Sequence, residues 1–240
     1  MKKFNITNTY GGILSAQGAS VDAFRLVHEI LNHNIHKGLQ VYDKTMLDSV
    51  HYRSKDAVCS LNTGAEVIAK KIIYCIGYES ANLIKENFVK LISTYAIVSE
   101  VNKKASNMYK DMLVWNTADP YIYLRTTDDK RLLIGGEDEE FKDANKRDLL
   151  LHEKEKKLVK SFERIIPEVA FHVDFTWAGT FGVTKDGLPY IGTHPQFDKS
   201  YFVLGFGGNG ITFSVTGMEM VSYWLNKKKH PLAEYFAFGR

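Results

Sequence analysis

The sequence predicts an α+β fold: a mixed, largely antiparallel sheet with helices on one side. Three observations lead there. Short β-type runs at residues 112–117, 121–126 and 131–134 follow one another across Asp119-Pro120 and Asp128-Asp129 turns, the pattern of an antiparallel meander. A charged stretch at residues 144–164 sets Leu151, Leu158, Phe162 and Ile165 at helical spacing on one side, as a sheet-covering helix requires. The apolar run at residues 201–204 enters a loop with glycine at 205, 207, 208 and 210. It then continues as a helix pattern with Ile211, Val215, Met218 and Leu225 on one face.

The remaining elements follow in order. Residues 1–20 read as a short strand and a loop around Tyr10-Gly11-Gly12-Ile13-Leu14-Ser15. Asp22 caps a helix whose apolar side holds Phe24, Val27, Ile30 and Leu31 and which Gly38 ends. Three β-like segments come next, at residues 39–42, 47–53 and 57–61, with Asn62-Thr63-Gly64 as turn chemistry after them. Ile72-Ile73-Tyr74-Cys75-Ile76 reads as a buried strand stopping at Gly77, and helix signal resumes at residues 80–86. Residues 91–101 and 171–180 read as further strands, the second carrying Trp177-Ala178-Gly179. Residues 181–195 are loop-rich around Asp186-Gly187-Leu188-Pro189, a segment that sets loop shape. There is no internal repeat or linker, so lobes would be interleaved rather than strung in series.

Composition excludes several classes. The net charge of +3, from 31 basic and 28 acidic residues, is too small an excess to argue for nucleic acid. Lys103-Lys104 and Lys227-Lys228-Lys229 read as solvated ends of elements. No apolar run approaches the ~18–20 residues that span a bilayer, and Met1-Lys2-Lys3 has no apolar core behind it. Cys59 and Cys75 form no C-x-x-C pair, so a reducing cytoplasm is the expected setting. The nearest histidine cluster, His28, His33 and His36, does not share one helix face, so no metal site is expected.

The strand, glycine loop and helix start at residues 201–212 admit two readings. Backbone N–H groups and the positive helix end can approach an electron-rich ligand there. Alternatively, the glycines serve only a tight strand-to-helix turn.

Five segments in one order narrow the field. They are Val21-Asp22-Ala23-Phe24-Arg25-Leu26, then Lys71 to Ser80 (Lys-Ile-Ile-Tyr-Cys-Ile-Gly-Tyr-Glu-Ser), then Tyr123-Leu124-Arg125 through Ile134-Gly135-Gly136. Trp177-Ala178-Gly179-Thr180-Phe181-Gly182 through Gly187-Leu188-Pro189-Tyr190-Ile191-Gly192 and the C-terminal glycine loop complete them. Together they resemble the FAD-dependent D-amino-acid oxidase superfamily, which includes glycine oxidase, sarcosine oxidase and amine oxidoreductases. The resemblance covers nearly the whole chain. Members of that superfamily normally begin with a G-x-G-x-x-G turn that holds the ADP half of FAD, and residues 1–60 carry no such fingerprint. The chain therefore looks like the C-terminal part of such an enzyme: a truncated reading frame, an expressed piece, or one half of a split protein whose partner chain supplies the ADP-binding lobe.

The resemblance implies a division into residues 1–80, helix and strands partly completing the FAD-binding lobe, 81–180, the substrate domain, and 181–240, the glycine loop and helix returning to the FAD-binding lobe. It implies oxidation of a C–N bond in an amine or amino acid, with hydride passing to a non-covalently held FAD. Gly77 and Gly179 would let the backbone pass close to the cofactor. Gly207, Gly208, Asn209, Gly210 and Ile211 would face the pyrimidine edge of the flavin, with Thr212 as a side-chain donor. Relatives often have His where Asn209 stands, and sarcosine oxidases have Lys at Thr212, so a cation is absent here. Amino-acid oxidases of the superfamily carry a carboxylate-gripping Arg where this chain has Phe181, which points toward an amine or an unfamiliar carboxylate. Arg125 is the candidate cation on the substrate side; the alternative is a surface arginine paired with Asp119 or Asp128. Tyr121, Tyr123 and Trp177 are candidate pocket walls, or else core aromatics. Cys75 reads as a small buried hydrophobe. Two rival readings stand beside the enzyme: a folded piece that binds no flavin, and one subunit of a split flavoenzyme.

Overall fold

The strands assemble into three sheets in the computed structural model, which describes residues 4–110 and 112–240. In chain order the elements begin with α1 (Ala23–Ile35), β1 (Leu47–Tyr52), β2 (Ala57–Leu61), β3 (Glu66–Ala69) and β4 (Ile72–Tyr74). A 3-10 turn at Gly77–Glu79 leads into α2 (Ser80–Leu83). The middle of the chain holds β5 (Lys90–Ser99), α3 (Lys103–Met108), β6 (Leu113–Trp115), β7 (Ile122–Thr126) and β8 (Leu132–Glu140). Next come α4 (Ala144–Leu149), α5 (Leu151–Ile165), β9 (Val173–Val183), β10 (Tyr190–His194) and β11 (Phe197–Leu204). The last elements are α6 (Gly210–Leu225) and α7 (Ala233–Phe236). The architecture is α+β: the pairings within β1-β2-β3, β6-β7-β8-β5 and β10-β11 are antiparallel, and β11 pairs with β4 in parallel.

The chain divides into two units. The first comprises residues 1–21 and 91–180. Its five-stranded sheet has the order β6-β7-β8-β5-β9. Alternation sorts each strand into two faces: Tyr95 and Ile97, Ile122 and Leu124, Leu132 and Ile134 all pack into one cluster with Leu158, Phe162 and Ile166 from α5 and its end. Phe162 stands edge-on to Phe171 at 4.8 Å and has no exposed surface. The helix expected over 144–164 is two helices. They part at Leu150, whose N–H still bonds the Arg147 carbonyl at 3.2 Å, and the Tyr95 hydroxyl donates to that same carbonyl at 3.3 Å. An incoming donor at a last-turn carbonyl lets the chain turn without orphaning it. α3 had no counterpart in the sequence reading; Asn102 accepts the Ala105 N–H at 3.0 Å and so caps it.

The expected strand within residues 1–20 is absent from residues 4–20, and residues 1–3 lie outside the described ones. Residue 7 is instead tied to the end of α5, its N–H donating to the Ile165 carbonyl at 2.9 Å.

The second unit comprises residues 22–90 and 181–240. β11 lies at the centre of the sheet β10-β11-β4 and is covered on both faces. Tyr201 and Val203 meet Met220 of α6 and Phe236 of α7, while Phe202 and Leu204 meet Tyr74 and Ile84 on the other side. Burial on both faces is why residues 201–204 read as a continuous apolar run rather than an alternating one. α6 approaches β11 closely through Gly217, where a Cβ would sit 2.6 Å from Val203 Cγ1.

Four expectations fail in this unit. α6 packs through Gly217 and Met220, and the face predicted to pack is the outer one: Ile211, Val215, Met218 and Leu225 are all exposed. α1 is capped by Asp22 as expected, its carboxylate accepting the Arg25 N–H at 3.0 Å, yet it has no buried residue and Phe24, Val27 and Ile30 are exposed. β4 is an edge strand: Tyr74 is buried and Ile72 packs partly buried beside it, while Ile73, Cys75 and Ile76 are exposed. Residues 39–42 form no strand.

The C-terminus is anchored by Arg240, which clasps Asp186 through Nε at 2.8 Å and Nη2 at 3.1 Å and lies 3.9 Å from the Tyr190 ring centre. The guanidinium holds the Asp186 carboxyl far below the usual carboxylate range. A carboxylate depressed on folding adds stability above its unfolded value of about 4 and loses it progressively as pH falls below that. The thermal midpoint is therefore expected to drop on acidification from about pH 4, and Asp186→Asn to flatten that part of the profile. Differential scanning calorimetry across that range checks it; an unchanged slope in the variant refutes it.

Candidate active site

The candidate residues fall into both units: Tyr123, Arg125, Trp177 and Gly179 in the first, Gly77 and residues 207–212 in the second. Each group has its own geometry.

In the first unit the three side chains lie on the sheet face turned away from α5. The register aligns Trp115, Tyr123, Gly135 and Ala96 in one row and Leu113, Arg125, Leu133 and Val98 in the next. The Tyr123 ring lies across Gly135, filling the place a Cβ would occupy. At the edge strand β9, Thr176 points to α5 and donates to Glu155, so its neighbours Phe175 and Trp177 face the other way. Both line an open cleft with Val98, Thr127, Asp129 and Arg131. Arg131 holds this cleft in shape by bonding Asp129, Asp174 and the Ser99 carbonyl, and its guanidinium lies 5.5 Å from the Phe175 ring centre.

Sequence reading missed Asp138. Simple alternation from Leu132 and Ile134 would aim it at α5. A bulge intervenes: Tyr95 pairs with Gly136 but Ser93 with Glu139, so β8 carries one extra residue, and Glu137 adopts φ +54°. Beyond the bulge Glu137 and Glu139 take the helix side, where the buried Lys154 ammonium donates to the Glu137 carbonyl at 2.8 Å and meets the Glu139 carboxylate at 2.9 Å. Asp138 is thereby turned to the opposite face, against the hydroxyls of Thr94 and Tyr121. The β6–β7 connection fixes Tyr121, because Asn116 Oδ1 accepts the Ile122 N–H at 2.9 Å. Burial pushes the Asp138 carboxyl up, opposed by those two hydroxyls and by Lys154. Burial and the Asp138 charge push the Tyr121 phenol up to about 12 and raise Tyr123 as well.

In the second unit, β4 and β11 run parallel and adjacent, so the segments that leave their C-terminal ends emerge at the same edge. These segments are the Gly77 turn and the loop at 205–209. Gly77 has φ +56° and Gly207 φ +54°, and space around the missing Cβ is empty at Gly77, Gly207 and Gly208. Gly205 is different: with φ +72° and Thr184 Cγ2 3.0 Å from a Cβ, it is a packing glycine. The loop is braced by the Gly207 N–H donating to the Gly182 carbonyl at 3.0 Å. Asn209 occupies the N-cap position of α6 but its side chain caps nothing, which leaves its amide and the first-turn N–H groups of Gly210, Ile211 and Thr212 facing outward. Ligands of open sheets containing parallel strands bind outside the carboxyl ends of those strands. The unfilled glycines and the uncapped helix start fit the edge of a flat, electron-rich ring such as a flavin.

The family model for FAD dependent oxidoreductases (DAO) matches residues 2–224. This chain belongs to that family. Among curated proteins, glycine oxidase of Bacillus licheniformis is 35% identical over 66 residues, 27% of this chain and 18% of that protein. Among solved structures, glycine oxidase from Geobacillus kaustophilus superposes with a TM-score of 0.67 at 20% identity, covering 84% of this chain and 53% of that one. L-proline dehydrogenase from P. horikoshii superposes with a TM-score of 0.74 at 20% identity, covering 89% and 58% respectively. The chain thus spans a little over half the length of these solved flavoenzymes. No helix among the described residues is long and apolar enough to cross a membrane.

Proposed function

We propose that this chain is the substrate domain and part of the FAD-binding lobe of an oxidoreductase that oxidises a C–N bond of a small amine or amino acid. The observation that carries this reading is the shared edge of β4 and β11, where open glycines and an uncapped helix start converge in a member of an FAD-dependent family. Glycine oxidase and L-proline dehydrogenase, the names of structures with this fold, support a nitrogen-bearing substrate.

In this reading the second unit holds the flavin without a covalent bond. Backbone at Gly77, Gly207, Gly208 and Gly210 permits close approach; the N–H groups of Ile211 and Thr212, the Thr212 hydroxyl and the Asn209 amide offer hydrogen bonds to the pyrimidine edge. Bound FAD supplies the hydride acceptor. The first unit contributes Gly179 as a close-approach glycine, Tyr123 and Trp177 as walls, and Arg125 as a cation for an anionic substrate group. A reducing cytoplasm is the proposed setting, with Cys59 and Cys75 as free thiols.

A second reading concerns the ADP half of FAD, for which residues 1–60 carry no fingerprint. We propose that a body outside these residues holds it, either a partner chain or a further part of the same protein. The exposed apolar side chains on α1 (Phe24, Val27, Ile30) and α6 (Ile211, Val215, Met218) favour this, since such faces mark surfaces that another body covers.

Titration of the purified chain with FAD, followed by flavin fluorescence and visible absorbance, is the test. Saturable uptake with a protein-shifted spectrum is expected. Gly208→Val should weaken it at least tenfold, an order-of-magnitude expectation for one lost close approach, without unfolding the chain, because a Cβ there meets nothing within 4 Å. No uptake at high FAD, alone or with a chain bearing a G-x-G-x-x-G turn, rejects the flavin site.

A further inference from the structure

We propose that Asp138, together with the Tyr121 hydroxyl and the Tyr123 ring, is a binding site for a primary ammonium group, so that the first unit takes its substrate by the nitrogen end. The inference deepens the amine-oxidoreductase reading and takes from it only that the substrate carries nitrogen.

Four observations converge on this cluster. Asp138 Oδ1 is buried and has no hydrogen-bond partner, an expensive arrangement for a carboxylate unless a ligand or solvent completes it. The residue as a whole is only partly buried. Its nearest cation is committed elsewhere: Lys154 lies on the helix side of the bulge, bound to the Glu137 carbonyl and the Glu139 carboxylate. The negative charge at Asp138 therefore has no direct ion-pair partner among the described residues.

The surroundings suit a cation. The Tyr121 and Tyr123 rings lie with centres 6.4 Å apart beside the carboxylate, offering π faces and a hydroxyl, the combination by which proteins hold ammonium groups. Burial has raised the Asp138 carboxyl and both phenols, the direction in which an arriving positive charge is welcome and an arriving carboxylate is not. Arg125, one row along the same face, stands where it can receive the opposite, anionic end of a longer substrate.

The test is a calorimetric titration of the FAD-free chain at pH 8 with butylamine, butan-1-ol and butyrate. Butylamine is expected to bind saturably, at least tenfold tighter than either of the others. Asp138→Asn should abolish that preference while far-UV circular dichroism stays unchanged, and Tyr121→Phe, which keeps the carboxylate, should weaken butylamine severalfold. Equal binding of butylamine and butan-1-ol overturns the inference, and so does a folded Asp138→Asn that binds butylamine like the parent. If Asp138→Asn does not fold, the comparison of the three probes on the parent chain decides. FAD uptake without butylamine binding rejects this site alone; butylamine binding without FAD uptake rejects the flavoenzyme reading alone.

Discussion

Phe162→Ala is expected to cost the first unit about 3–5 kcal/mol, the range for truncating a fully buried phenylalanine. Phe162 has no exposed surface, packs against Phe171, and is the α5 residue around which Leu158, Ile134, Leu132 and Tyr95 close. Its loss opens a cavity in a close-packed core, and neighbours anchored by β-sheet pairing cannot collapse to fill it. Since a domain of this size has only about 5–15 kcal/mol of net stability, the variant should sit near the edge of folding. Urea denaturation followed by circular dichroism measures it. A loss below about 1 kcal/mol, far under the usual range, would mean that α5 does not cover the sheet as described.

Gly136→Ala is expected to be similarly severe, for a different reason. At φ +133° a residue with a Cβ is strained, at a cost of order 1–3 kcal/mol. The added methyl also runs into the Tyr121 carbonyl oxygen and comes within 3.0 Å of Ile122 Cα, both backbone atoms of the neighbouring strand that cannot swing aside. Overpacking of that kind typically adds another ~1–3 kcal/mol. The same bulge turns Asp138 onto the open face, so the damage should reach the site as well. Two readouts apply: the denaturation midpoint should fall, and Tyr121 and Tyr123 should lose their separate environments in the tyrosine near-ultraviolet signal. The adjacent Gly135 is a useful control. A Cβ there meets the movable end of the Tyr123 side chain, so Gly135→Ala should disturb the ring far more than the fold.

Much of this protein could be read directly from its residues. The meander, the sheet-covering helix and the capping Asp22 are local patterns, and local sterics and hydrogen bonding are enough to specify them. Five ordered segments pointed to the flavoprotein family that the family model matches over residues 2–224. Tyr123, Arg125 and Trp177 were candidates in the sequence by residue type within the family-like segments; that they share one sheet face emerged only from the strand register.

The structure decided what depends on long-range placement. Whether an amphipathic helix is buried is set by what lies against it, so α1 and the outer face of α6 have the composition of packed helices and yet are exposed. Gly77 and the glycine loop were only two separate turns until the parallel pairing of β4 with β11 put both at one edge. Asp138 was invisible for the clearest physical reason: one extra residue in β8 reverses the alternation beyond it. A strand's period of two assigns each side chain to a face, but only the pairing with its neighbour shows where that count is broken.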